Sequence, residues 1–327
     1  MARKHIGLPT AEIVRFSKQK LLDQLLQVDS CEKAKERILN METAFRKKIA
    51  THTTSLLLED ASFRKFNTSP FVLLIHASHR KYGSVEQIEG DILPAKQFSS
   101  METSAGRMVE EVVLPAYKWE CVLSEMHTNY SALDGRMKES SPFRVATLKS
   151  GPRCLNDEMS ENFADAVLGN ARVWAADAKV KTLDFTYGVL YGTPRQSNKK
   201  DWHILRNLAE KTPTVGSGKV LMSPDSRWNC KIQIDDVEVE ASVRIGKDWW
   251  TYLGGENCLL EVMTALIRCC VLPMPTTNQE HEYIISDLGA IVSIDDVSAD
   301  FNVSLLQRSQ LPWLFLIASH FCDVMDA

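Results

Sequence analysis

Several common signatures are missing from this chain. No run of about 18 apolar residues occurs in its 327 residues, so no membrane span is expected. The N-terminal MARKHIGLPTAEIVRF carries basic residues with no continuous apolar segment behind them, so no secretory signal is expected. The eight cysteines form no CxxC pair and no metal-ligand spacing. Cys269 and Cys270 are adjacent, but they lie in an apolar helical run. In a chain this long, that pattern suits reduced, mostly buried thiols and a cytoplasmic protein. Residues 214–219, TVGSGK, lack the first glycine of a phosphate-binding loop: Pro213 stands in its place and Val220 follows the lysine. A nucleotide hydrolase is not indicated. Internal repeats and low-complexity segments are absent too.

An excess of positive charge is also lacking; the net charge is −4. Its distribution is uneven. Residues 1–65 carry 13 Lys/Arg against 8 Asp/Glu, residues 134–211 carry 13 against 10, and residues 271–327 carry 1 against 8. The acidic end masks a mildly basic remainder, which permits contact with nucleic acid. The hydrophobic content of 44% and charged content of 24% are those of an ordinary globular chain, long enough for one large domain or two smaller ones.

What is present centres on residues 131–167. Phe143 to Lys149 alternates as a strand, with Phe143, Val145, Thr147 and Lys149 on one face and Arg144, Ala146, Leu148 and Ser150 on the other. Lys149 then stands at a strand end. Asp134 lies beside it if the segments pair as a hairpin across Gly135 to Pro142. A carboxylate and a lysine so placed suit phosphodiester hydrolysis: the acid holds a hard cation such as Mg²⁺, which keeps most of its waters. The lysine orients or deprotonates water, or offsets charge on the phosphate.

Asp134 followed by Thr147-Leu148-Lys149 resembles the active-site signature of the PD-(D/E)XK nucleases, and Lys149-Ser150-Gly151-Pro152 with Asn156 is similar to a form seen in type II restriction endonucleases. The resemblance covers about residues 100–195. Leu133, not proline, precedes Asp134, and Thr147 stands where an acid is usual. The resemblance implies that the missing carboxylate comes from the next helix. Glu161 fits the family spacing. The helical wheel instead favours Glu158, because Glu161 points away from the Met159, Phe163, Ala166, Val167 and Trp174 face. Glu110 or Glu111, on a helix expected over 102–120, is a further candidate for reaching the metal.

The implied fold is α/β, a mixed-sheet core in the order αβββαβ. A helical N-terminal region occupies 1–65, the nuclease core 66–211, and an α+β region for DNA recognition or dimerisation 212–327. The implied activity is sequence-specific, Mg²⁺-dependent cleavage of double-stranded DNA by a homodimer. Asp134 and Glu161 (or Glu158) would hold the metal with the Leu148 carbonyl, and Lys149 would serve the water. Arg153, Asn156, Arg195, Lys199, Lys200, Trp202 and Arg206 combine cations, amide and aromatic in a pattern suited to phosphates and base edges. Residues 244–252, with Trp249 and Trp250, are a second candidate for base reading or for a dimer interface. Two other classes compete: a catalytically silent DNA-binding protein on the same fold, and a protein-interaction scaffold.

Local expectations complete the reading. Residues 10–60 form two helices, with Asp29 and Glu32 as a capping box for the second. That helix presents Lys33, Lys35, Arg37, Arg46, Lys47 and Lys48, either to phosphates or to solvent. Residues 83–100 read as loop with short elements. Thr182 to Leu190 is a strand, Asp235-Asp236 a hairpin turn, and Cys258 to Leu272 a buried helix ended by Pro273 and Pro275.

Overall fold

A computed structural model of the chain describes residues 10–55, 70–123, 126, 130, 132–274 and 282–326. The boundary expected at 65/66, Ser69 and Pro275 lie outside these residues.

Two helices open the fold, α1 (Lys18–Ser30) and α2 (Glu32–Ser55). A third, α3, spans Pro70–Arg80. The fourth, α4, runs over Glu89–Met108, then through a π-helical turn at Val109–Val113 and a last turn at Leu114–Ala116. Thus much of 83–100 is helix and not loop, with Pro94 inside it. Asp91 binds His76 and Arg80 of α3. Such tertiary contacts override the weak local prior set by glycine and proline.

The sheet has seven strands: β2 (Glu120–Cys121), β3 (Gly135–Met137), β4 (Phe143–Lys149), β5 (Thr182–Val189), β6 (Lys219–Met222), β7 (Asn229–Ile234) and β8 (Val237–Ile245). A two-residue β1 (Arg15–Phe16) pairs separately with β9 (Val324–Met325). The large sheet is ordered β2-β3-β4-β5-β8-β7-β6. Its middle is parallel, β4 to β5 to β8, and its flanks are antiparallel. From α4 to β5 the elements therefore follow the order αβββαβ. β8, from the region set apart at 212–327, pairs with β5 over its whole length. Parallel strands need a crossover, and helix α5 (Asp157–Ala178) supplies the one between β4 and β5.

The expected alternation of β4 is realised. Phe143 and Val145 enter one apolar layer, beneath α5 and helix α6 (Lys200–Lys211). Ala146 and Leu148 enter the other, beneath α1, α2, α7 (Lys247–Gly254), α8 (Cys258–Cys270) and α10 (Leu311–Ser319); a short α9 spans Leu288–Val292. Within the first layer Trp174 stacks on Phe185 at 6.4 Å. In the second, Trp249 lies against Gly188, where a Cβ would come within 2.6 Å of its ring. The glycine is what lets an indole rest on a central strand. Trp249 and Trp250 are therefore core residues of this chain and unavailable to DNA; Trp250 Nε1 donates to the Leu190 carbonyl at 2.8 Å.

Two further expectations are corrected. α1 and α2 are separated by Cys31 alone, which leaves Asp29 inside α1 rather than at the N-cap of α2. Its carboxylate instead accepts N–H bonds from Ser304 and Leu305. The basic face of α2 is likewise largely engaged. Arg37 grips Glu261 with two bonds of 2.8 and 2.7 Å, Arg46 pairs with Glu42, and Lys48 pairs with Glu111. All eight cysteines are free thiols; Cys31, Cys154 and Cys270 are exposed. Among the described residues no helix is long and apolar enough to cross a membrane.

Candidate active site at the end of the central strand

The site is built where β4 ends. β3 and β4 pair antiparallel, with Gly135 opposite Ala146. One residue earlier, the Asp134 N–H donates to the Ala146 carbonyl at 2.9 Å, and the Asp134 carboxylate accepts the Leu148 N–H at 2.6 Å. The acid is thus fixed to the strand that carries Lys149. The Thr147 hydroxyl, in the place of the usual second acid, donates to the Ala132 carbonyl. It anchors the segment leading to Asp134 and is not turned to a ligand.

The π-helical turn of α4 brings Glu110 to the same place. Val112, Val113 and Leu114 bury one side of this turn in the α-helical layer. Glu110 feels the charges of Asp134 and Lys149; burial first, and then the Asp134 carboxylate, push its carboxyl up to about 7. Two acids in a partly dry site repel, and Lys149 and Arg107 act against that repulsion without cancelling the cost of burial. The Lys149 Nζ lies 5.6 Å from the centre of the Phe163 ring of α5 and makes no salt bridge among the described residues. Glu111 is turned to Lys48.

The acids of α5 are placed differently. Asn156 caps the helix, its side chain accepting from the Met159 N–H at 2.8 Å. Glu158 is exposed in the first turn. Glu161 pairs with Lys211 of α6 at 2.8 Å, as does Asp165 at 2.7 Å. The structure therefore brings Asp134, Lys149 and Glu110 together, and engages Glu161 with α6.

The expected DNA-contacting residues divide in the same way. Trp202 is buried at 1% exposure, because the amphipathic α6 turns it into the core; it is not a surface aromatic. Lys199 donates to the Pro194 carbonyl at 2.9 Å and lies over the Trp228 ring, and Lys200 pairs with Asp157 at 2.6 Å. Arg206 is half-buried near Glu210. Arg153 and Arg195 are exposed beside the site end, with Arg153 Nε donating to the Gln196 carbonyl at 2.9 Å.

Sequence reasoning missed two groups under the same strand ends. Tyr187 stands directly across from Thr147 in the sheet, its hydroxyl buried and without a hydrogen-bond partner among the described residues. Asp201, fully buried in α6, accepts from the Ser197 hydroxyl at 2.7 Å, and burial pushes its carboxyl up to about 6. The signal available for Asp201 was its place on the apolar side of α6, beside Trp202 and Leu205. Chemically, the strand end offers two carboxylates and a backbone carbonyl as hard oxygen donors, with an ammonium beside them. No protein-family model matches this chain, and no curated protein matches it at a significant level.

Proposed function

We propose that the chain is a Mg²⁺-dependent DNA endonuclease of the PD-(D/E)XK type, acting on duplex DNA as a restriction-type homodimer. The observation that carries this reading is the convergence of Glu110, Asp134 and Lys149 at the end of β4, within elements ordered αβββαβ. The donor set fits the cation. Mg²⁺ is held by one or two carboxylates and keeps several waters. Among the described residues no group of three His, Cys, Asp or Glu converges, but Glu110 and Asp134 do. Burial and the Asp134 carboxylate raise the proton affinity of Glu110, and a divalent cation between the two acids would relieve that.

In this reading Asp134, Glu110 and the Leu148 carbonyl would hold the ion. Glu110 takes the role for which the family spacing suggested Glu161. When bound, Mg²⁺ supplies Lewis-acid stabilisation of charge on the phosphate. Lys149 orients the attacking water and offsets negative charge on the non-bridging oxygens. The Leu148 N–H holds Asp134 in place, and Thr147 supports it through Ala132. Arg153 and Arg195 supply positive charge to the flanking phosphates.

The Thr147 contact also favours one competing reading, a DNA-binding protein of this fold that lost catalysis with its second strand acid. Incubation of the full chain with large unmethylated DNA, in Mg²⁺ and in EDTA, separates the two. Discrete metal-dependent fragments that Lys149→Ala abolishes support the endonuclease. DNA left intact while still bound in a salt-dependent way supports the silent binder.

A further inference from the structure

Directly beyond Lys149 lies a hollow of about 440 Å³, lined by Gly151, Pro152, Arg153, Cys154, Tyr191, Gln196 and His320. That volume is within the range of small-molecule sites. Its main wall is Tyr191, which remains 45% exposed although its backbone is firmly tied. The Leu190 N–H donates to the Lys149 carbonyl at 2.8 Å and the Tyr191 N–H to the Ser150 carbonyl at 3.2 Å. The phenol ring is therefore carried by the same two residues that end the central strand.

The ring's position depends on Gly151. A Cβ there would stand 2.6 Å from the Tyr191 hydroxyl oxygen, so the glycine lets the phenol lie close against the loop, and a larger residue would push the ring aside. His320 meets Tyr191 at 6.4 Å with the ring planes 89° apart. Its backbone holds this corner, because the Gly192 N–H donates to the His320 carbonyl at 2.9 Å. His320 Nδ1 donates to the Leu316 carbonyl at 3.0 Å, which leaves Nε2 for a ligand. Two perpendicular rings make a corner in which a flat group stacks on one while its edge meets the other.

Polar groups complete the site. The Arg153 Nε is held by the Gln196 carbonyl, so the outer nitrogens of the guanidinium stay at the exposed rim. Gln196 Oε1 accepts the Thr193 N–H at 3.0 Å, which fixes its amide at the wall. A planar aromatic surface, a guanidinium and an amide form the set that recognises a nucleobase: stacking for its face, hydrogen bonds for its edge, a cation for its phosphate.

We propose that this hollow seats one nucleobase turned out of the stack, next to the phosphodiester held at Lys149. The proposal rests on the nuclease reading for its substrate class and adds that one base of the duplex leaves the stack at the cut, which a pre-formed bulge would make easier. A base held in the stack offers only its edges to the groove, and its face is covered by its neighbours, so it cannot lie flat on the Tyr191 ring. An extrahelical or single-stranded base could.

The test uses the full chain in EDTA, so that nothing is cut. Fluorescence anisotropy is read on a labelled duplex with one bulged adenine analogue and on the same duplex fully paired. The bulged duplex should bind more tightly, and the analogue's emission should be quenched by stacking. Tyr191→Ala should weaken binding of the bulged duplex about 5- to 150-fold. Tyr191→Phe should restore it, which separates stacking from misfolding. Equal affinity for the two duplexes, or an unchanged Tyr191→Ala, would overturn the proposal. Displacement by micromolar deoxyadenosine monophosphate would overturn it too, by showing a free-nucleotide pocket. Cleavage in Mg²⁺ by wild type and Lys149→Ala is scored separately. If Lys149→Ala cuts at full rate the nuclease assignment fails, whatever Tyr191 does; if only the Tyr191 result fails, the nuclease assignment stands.

Discussion

Two clusters of charge in this molecule were written in similar letters and ended in opposite states. Between α2 and α8, Arg37, Glu42, Arg46, Glu261 and Arg268 are all paired. Arg37 grips Glu261 while the Tyr117 hydroxyl donates to the same carboxylate at 2.7 Å. Arg46 and Arg268 share Glu42, which they and their hydrogen bonds hold below the usual carboxylate range despite burial. At the end of β4, by contrast, Glu110 faces Asp134, like against like, and Lys149 makes no salt bridge among the described residues. The first cluster is complete as it stands and locks two helices together. The second sets two like charges side by side in a partly buried place, a setting in which functional sites cluster.

The sharpest break of this comparison is Lys149→Ala. It should lower DNA cleavage about 10²- to 10⁴-fold, the usual contribution of a positioned proton-transfer or water-orienting group, with the melting curve unchanged. Plasmid cleavage rates and thermal unfolding check it together.

Next in size, Glu261→Ala should destabilise the fold by about 3 kcal/mol, the low end for a broken buried pair because Arg37 is partly exposed. Urea unfolding measures this. Cleavage per folded molecule should not change, which is the reverse of the pattern at Lys149.

A third test concerns pH. Glu110 keeps its proton to about 7 in the folded chain, against 4.5 for an unperturbed carboxyl. Between those values the native state holds a proton that the unfolded chain has released, so this group's contribution to stability falls as pH rises through the window. Glu110→Gln should flatten that slope and raise stability at pH 8. It should also reduce the stabilisation that Mg²⁺ gives at pH 8, which in wild type should exceed that at pH 6. Unfolding midpoints across pH, with and without Mg²⁺, decide it.

The smallest effect is expected at Glu161→Ala. Its pair with Lys211 is exposed and contributes at most about 1 kcal/mol. Cleavage should stay near the wild-type rate. A loss as large as that of Lys149→Ala would return the second carboxylate to α5 and remove it from Glu110.

Much of the fold was legible in short stretches. The alternation of Phe143 to Lys149 assigned both faces of β4, and Asn156 marked the start of α5. Asp235-Asp236 marked the hairpin between β7 and β8, where Asp235 takes the left-handed conformation at φ 53°. Each of these signals spans a few residues, and its partners are its own neighbours. The errors share the opposite property. Asp29 capped nothing because Ser304 and Leu305 claimed it from 275 residues away. Trp202, Trp249 and Trp250 resembled surface aromatics only because their neighbours in sequence are charged. Helix α4 persists through Pro94, which local composition disfavours.

The candidate site divides along the same line. The sequence by itself determined that Asp134 and Lys149 would meet, since one hairpin joins them and the period of two sets their faces. Only the tertiary structure decided which further acid joins them. Glu110 and Glu161 are equally plausible letters, and the choice turns on how two helices, far from Asp134 in sequence, pack on opposite faces of the sheet. The same holds for the hollow at Tyr191, whose corner needs His320, a residue more than a hundred positions away. Local periodicity follows from backbone geometry, but burial and charge balance are properties of the assembled core, where long-range packing outweighs local preference.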